Sequence, residues 1–331
     1  MLIRYFRKIS PLSPVLLFLL SAVLWAEIFL EPEPVFFVAS ENPSPLYLLL
    51  QPVFISYPIG SWVAAMLFVY LQALMISVIV TRQGMLDKYS FLASLMYVVL
   101  MGSLRGMLFM HPVVFSNFFL LLALKIILEK FDEEEVMKNI FNASMLIALA
   151  GLFYMQAWLF FLFLIISLFV FYAISLRSFV AACLGFVTPF FFYFFILFMT
   201  DSLDNPFLDT DFSFSWFAFS AGSISGPLKA LVAYGAVLCL MALFHLVAIY
   251  LPDKPIRLRK RLWTLVYYSF LAIITFLFVT DYKAFHAALL FIPMSVVLAG
   301  FFHQIQRKAV SEVLFAILLG LILAGKAVVL V

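Results

Sequence analysis

The chain has 331 residues, of which 66% are hydrophobic and 11% charged, with a net charge of +3 and a mean hydropathy of +1.17. A water-soluble protein of this length needs far more charge on its surface, so the solvent for most of this chain is lipid. The small positive balance follows from the topology signals below and calls for no nucleic-acid partner.

A membrane helix needs about 20 mostly apolar residues. In chain order such runs are Leu12–Leu30, Trp62–Val80, Ser90–Leu108, Val113–Leu128, Asn142–Met155, Ala157–Leu176, Phe179–Met199, Pro227–Leu251, Trp263–Thr280, Phe285–Phe302 and Ser311–Val331. They predict an all-α, polytopic transmembrane helix bundle of about eleven spans, one integral membrane domain over residues 1–331. The first run follows Arg4, Arg7 and Lys8, as a signal peptide would. It continues to Leu30 without a small-x-small cleavage site and reads as an uncleaved span. Tyr47–Ile55 is too short to cross and reads as an interfacial or re-entrant segment ahead of Pro58-Ile59-Gly60. Between Asn142 and Leu176 the only polar break is Tyr154-Met155-Gln156-Ala157, which leaves one bent helix or two shorter ones.

Charge arbitrates. With the N-terminus inside, sixteen of the twenty Lys and Arg residues fall on the inner side, as cationic loops resist translocation. Fusing Asn142–Leu176 into one span would carry the Arg-Leu-Arg-Lys-Arg run at 257–261 outside, so two spans are expected there. The N-terminus is then cytoplasmic and the C-terminus extracytoplasmic. The two longest outer loops, Glu31–Gly60 and Asp201–Gly226, are acidic and carry no Lys or Arg.

No P-loop, dinucleotide-binding glycine pattern, His-Glu-x-x-His or Cys-x-x-Cys occurs, and no soluble segment is large enough to bind a nucleotide. Cys183 and Cys239 lie inside apolar runs and read as small buried hydrophobes. The spans hold few polar residues and show no inverted repeat, which disfavours transport.

The basic residues that escape the topology rule are Arg105, Lys229, Lys283 and Lys326. The first three fall at outer helix ends, on the same face as Glu27, Glu31 and Glu33. An ionisable group at a membrane rim is a functional candidate. Arg105, between Gly102-Ser103 and Gly106, has room beside it for a bulky anion. Arg and Lys there suit a lipid-carrier phosphate, and a nearby carboxylate suits a general base or a divalent-metal ligand. His111 and His286, also on the outer face, are ancillary candidates; no His pair has metal spacing. Plainer readings stand beside these. Arg105 and Lys229 reach the interface by snorkelling, Lys283 pairs with Asp281, and Lys326 snorkels or meets the terminal carboxylate.

From Ser90 to Tyr172 the chain runs through a short span, an outer turn, Phe115-Ser116-Asn117-Phe118-Phe119-Leu120-Leu121-Leu122-Ala123-Leu124, a charged inner linker, Asn139-Ile140-Phe141-Asn142-Ala143-Ser144 and an apolar hairpin. This order resembles the middle of GT-C superfamily glycosyltransferases, with a GT-C-like core best seen in 12–200 and further spans in 227–331. It is also similar to a family of uncharacterised Bacteroidota polytopic inner-membrane proteins. The resemblance implies a bacterial inner-membrane protein that uses a polyprenyl-phosphate-linked sugar at the outer face. It also implies an essential acid soon after the first span, matched here by Glu31 and Glu33, with Glu27 just inside the helix end. The chain departs from GT-C enzymes in lacking a paired acidic motif before the third span and an outer soluble domain. The alternative is a non-enzymatic membrane component: a transporter, a flippase or an envelope-assembly scaffold.

Overall fold

The structure is a computed structural model describing residues 2–7, 10–29, 44–86, 90–130, 136–171, 174–201, 226–275 and 284–329. Among the described residues there are thirteen α-helices and no strand. They are α1 Leu2–Phe6, α2 Ser13–Trp25, α3 Pro45–Ser56, α4 Pro58–Arg82, α5 Leu92–Met101, α6 Pro112–Lys130, α7 Val136–Phe153, α8 Phe160–Val170, α9 Leu176–Met199, α10 Gly226–His245, α11 Ile256–Thr275, α12 Ala288–Gln304 and α13 Lys308–Val329. Proline opens α2, α3, α4 and α6, where its missing N–H removes no helical bond. Ser175 caps α9 by accepting from the Ser178 N–H.

Seven helical stretches are long and apolar enough to cross a membrane: Pro58–Arg82, Pro112–Glu129, Val136–Phe153, Leu176–Met199, Gly226–Tyr250, Phe285–Gln304 and Ala309–Ala327. Ser13–Trp25, Pro45–Ser56, Leu92–Met101 and Met155–Val170 are apolar but shorter. The expected interfacial segment is thus a helix, α3. The run from 142 to 176 breaks at Tyr154, whose backbone is extended (φ −147°, ψ 107°) and leads into a 3-10 turn at Met155–Leu159. Gly151 permits that reversal: a Cβ there would collide with the Trp158 indole folded back over α7. Gly185 does the same for the α7–α9 crossing, where a Cβ would run into the Phe141 carbonyl, and Ser144 Oγ donates to Ala182 O across it at 2.5 Å. Small residues let membrane helices approach this closely.

The centre is α5, buried along its whole length, with α12 and α4 packed on it and α2 beside them. At the periphery α9 and α10 expose Phe191, Phe195, Phe198, Leu240 and Phe244, as helices facing lipid do. The centre is more polar than the apolar runs imply. Tyr97 OH donates to Gln72 Oε1 at 2.5 Å, Gln72 Nε2 to Val114 O at 2.7 Å, Asn117 Nδ2 to Ala288 O at 2.9 Å and Ser94 Oγ to Ala73 O at 2.6 Å. Inside a membrane such groups need internal partners, and these bonds tie α4, α5, α6 and α12 together. The expectation of few intramembrane polar residues is corrected accordingly.

The two ends of the bundle differ. At one, basic side chains meet helix C-terminal carbonyls. The Arg7 guanidinium donates to Phe302 O and, at 3.4 Å, to Ile305 O. Arg261 donates to Leu128 O at 3.2 Å and Gln83 O at 3.4 Å. The other end holds the end of α2, the turn after α5, the break at Tyr154, the start of α12 and the end of α13.

Candidate functional site

The second end is assembled by backbone–side-chain bonds. Trp25 Nε1 donates to Leu108 O at 3.0 Å, Tyr47 OH donates to Met110 O at 2.9 Å, and Ser61 Oγ accepts from Met110 N at 3.0 Å. Ser44 Oγ accepts from Met155 N at 3.2 Å. Gly102 brings the end of α5 onto α2; a Cβ there would sit 3.0 Å from Leu24 and 3.1 Å from Trp25. The chain then leaves α5 and makes a 3-10 turn at Arg105–Met107, which touches the 3-10 turn Ala284–Ala287 before α12.

Glu27 sits on the 3-10 turn Ala26–Phe29 that ends the first helix. Its carboxylate lies between two cations. Arg105 Nε is 3.6 Å from Oε1, and Lys326 Nζ is 3.2 Å from Oε2. Lys326 Nζ also donates to Leu24 O at 2.6 Å, one of the carbonyls left open where α2 ends. The Glu27 and Lys326 side chains are 4% and 9% exposed and that of Arg105 is 21% exposed, so Arg105 is the most accessible of the three, although its Nε is buried. In this low-dielectric setting each charge needs the others: an isolated buried ion is strongly unfavourable.

The plainer reading of Lys326 is corrected here. It is buried, donating to Leu24 O and pairing with Glu27 rather than snorkelling, while the terminal carboxylate lies outside the described residues. Its signal was present in the sequence: a lone Lys beside a Gly, well inside a long apolar helix. Its partner was not legible, since 302 positions separate Lys326 from Leu24.

The histidines join the same end. His111 is fully buried, stacked on Phe285 with ring centroids 5.1 Å apart, and neither ring nitrogen has a hydrogen-bond partner among the described residues. Burial, with His286 beside it, pushes the His111 imidazole down to about 3, so it is neutral at physiological pH. His286 Nδ1 meets Tyr154 OH at 2.6 Å. Sequence reasoning missed Tyr154 in this role, along with Lys326.

The other expected residues are distributed differently. Lys229 is exposed near the start of α10, two residues before the Leu231 that packs near Gly325. Glu31, Glu33 and Lys283 lie outside the described residues. Among the described residues no three His, Cys, Asp or Glu side chains gather as metal ligands would. Cys183 and Cys239 are half-buried free thiols on α9 and α10.

Fold and site define an all-α protein with membrane-crossing helices and a buried carboxylate clamped by two cations at one end. A family model described as "Family of unknown function (DUF6427)" matches residues 46–327, and the chain belongs to that family. The matched stretch contains Arg105, His111, His286 and Lys326, while Glu27 precedes it. No curated protein and no solved structure matches the chain.

Proposed function

We propose that the protein is a GT-C-like glycosyltransferase of a bacterial inner membrane, acting at the outer face on a polyprenyl-phosphate-linked sugar. In this reading the helices make eleven crossings, with the Arg7–Arg261 end cytoplasmic and the Glu27 end extracytoplasmic. The collection of basic residues at the first end supports that orientation.

One observation carries the reading: the convergence of Glu27, Arg105 and Lys326 at the bundle end, with Arg105 the most exposed of the three side chains. A carrier phosphate arriving at Arg105 competes with Glu27 for its cation, since the fork of Arg suits two phosphate oxygens. Glu27 Oε1, released from Arg105, accepts the proton of an acceptor hydroxyl. The acceptor oxygen bonds to the anomeric carbon, the carbon–oxygen bond to phosphate breaks, and the leaving phosphate keeps the electron pair opposite Arg105. In this reading Lys229, together with Glu31, Glu33 and Lys283 outside the described residues, supplies further phosphate-binding and acid groups, and the acids would hold a divalent metal if one is used.

The alternative, a non-enzymatic scaffold or transport component, draws support from the clamp itself, because both Glu27 oxygens already face a cation. Glu27→Gln separates the two readings. In membranes supplied with labelled polyprenyl-phosphate sugars, the variant should lose carrier-phosphate release while protein level and monodispersity are retained. Full release by Glu27→Gln would exclude it as the base. Absence of any release by the wild-type protein across donors would favour the scaffold.

A further inference from the structure

The segment that follows α5 is fastened unevenly. Trp25, Tyr47 and Ser61 hydrogen-bond Leu108 and Met110 and so hold them to α2, α3 and α4. The next residue, His111, makes no such bond. Its ring is fully buried, face to face with Phe285 and edge-on to Phe109. Among the described residues neither of its nitrogens has a hydrogen-bond partner. His111 therefore joins the start of α6 to the 3-10 turn Ala284–Ala287 by ring stacking. One turn into α12 the attachment changes, because Asn117 Nδ2 donates to Ala288 O at 2.9 Å. The Ala284–Ala287 turn also touches the Arg105–Met107 turn.

A neutral imidazole is tolerated in this setting, whereas an imidazolium needs water or an anion. Among the described residues the surrounding groups supply neither. Tyr47 OH is committed to Met110 O, and Tyr154 OH to His286. His286 opposes positive charge on His111. Arg105 and Lys326 are themselves cations, and the Glu27 carboxylate is occupied by both of them. The His111 ring must reach water before it takes a proton.

We infer that His111 is an acid-sensitive latch: its protonation parts it from Phe285 and opens the seam between residues 105–111 and the Ala284–Ala287 turn, with the Asn117–Ala288 bond as the inner limit of the opening. The latch is a property of the fold and stands whether or not the protein is a transferase. The buried ring sits at about 3, below the ordinary 6.5 of an exposed imidazole, so the open form binds the extra proton. The closed seam thus has its full stability above pH 6.5 and loses it progressively as the pH falls toward 3. Between about pH 8 and pH 5 the opening constant should rise about thirtyfold.

Hydrogen–deuterium exchange, read by mass spectrometry on the full-length protein in neutral detergent and corrected for the pH dependence of intrinsic exchange, tests this. In the wild type, protection over residues 105–114 and 284–288 should fall about thirtyfold across that pH range, while the α7–α9 crossing keeps its protection. His111→Leu and His111→Gln should both remove the fall, and His286→Gln should retain it. Protection of the two segments that does not change with pH in the wild type would overturn the proposal without recourse to any variant. An equal fall in His111→Gln would overturn it too. Loss of protection throughout the bundle would replace the latch with general acid unfolding.

Discussion

At the Arg7–Arg261 end of the bundle, guanidinium groups reach backbone carbonyls; at the Glu27 end, two cations flank one buried carboxylate. Arg7 and Arg261 bridge the ends of neighbouring helices, where the helix dipoles favour positive charge. Nothing buried is left unbalanced if such a residue is removed, because the carbonyls can turn to water. Arg105 and Lys326 instead neutralise a group that has no water to turn to. Both ends hold basic residues in close contact, yet at one the cation fastens helices and at the other it makes a buried charge tolerable.

Substitutions can break this contrast. The largest effect should come from Glu27→Ala, which strands two cations and should destabilise by about 3–5 kcal/mol, read as a fall in Tm in detergent. Replacing the whole trio with apolar residues (Glu27→Leu, Arg105→Met, Lys326→Met) should have the opposite sign. The expected change is from neutral to a gain of about 4 kcal/mol, with loss of carrier-phosphate release under the proposed function. A trio variant as unstable as Glu27→Ala would show that the three charges hold the fold by their mutual geometry. At the other end Arg261→Gln should cost about 1–2 kcal/mol, the range for losing partly buried hydrogen bonds from a charged donor. Arg257→Gln, on the exposed start of α11, should change Tm by the equivalent of less than about 0.5 kcal/mol.

The sequence made the helices legible because lipid imposes a simple rule on length and polarity. Even the break at Tyr154 could be placed, since one polar turn interrupts an otherwise apolar stretch. Arg105 and Glu27 were legible as candidate residues because each is an ionisable group at the end of an apolar run, but the sequence favoured Glu31 and Glu33 over Glu27 as the acid. Their joining to Lys326 was not, for it depends on α13 packing on α10 and α1 so that Lys326 reaches the end of α2, an arrangement that no local pattern specifies. The Gln72–Tyr97–Asn117 bonds were missed for a related reason. A single amide or phenol barely lowers the hydropathy of a long apolar run, and its importance appears only when the neighbouring helices are in place.

The contacts between α13 and the N-terminal segment bear on how the molecule is made. Lys326 meets Leu24 and Glu27, while at the far end Arg4 N donates to Glu312 Oε1 at 2.9 Å. The two edges of the chain are thus sewn along one seam, and a ribosome produces them on the order of 15–60 s apart at ordinary elongation rates. Throughout that interval Glu27 is in or near the bilayer without its lysine, and Leu24 keeps an open carbonyl. The nascent bundle is therefore an unsealed cylinder until α13 arrives, and a stalled or shortened chain would present an uncompensated acid to the membrane's quality-control proteases.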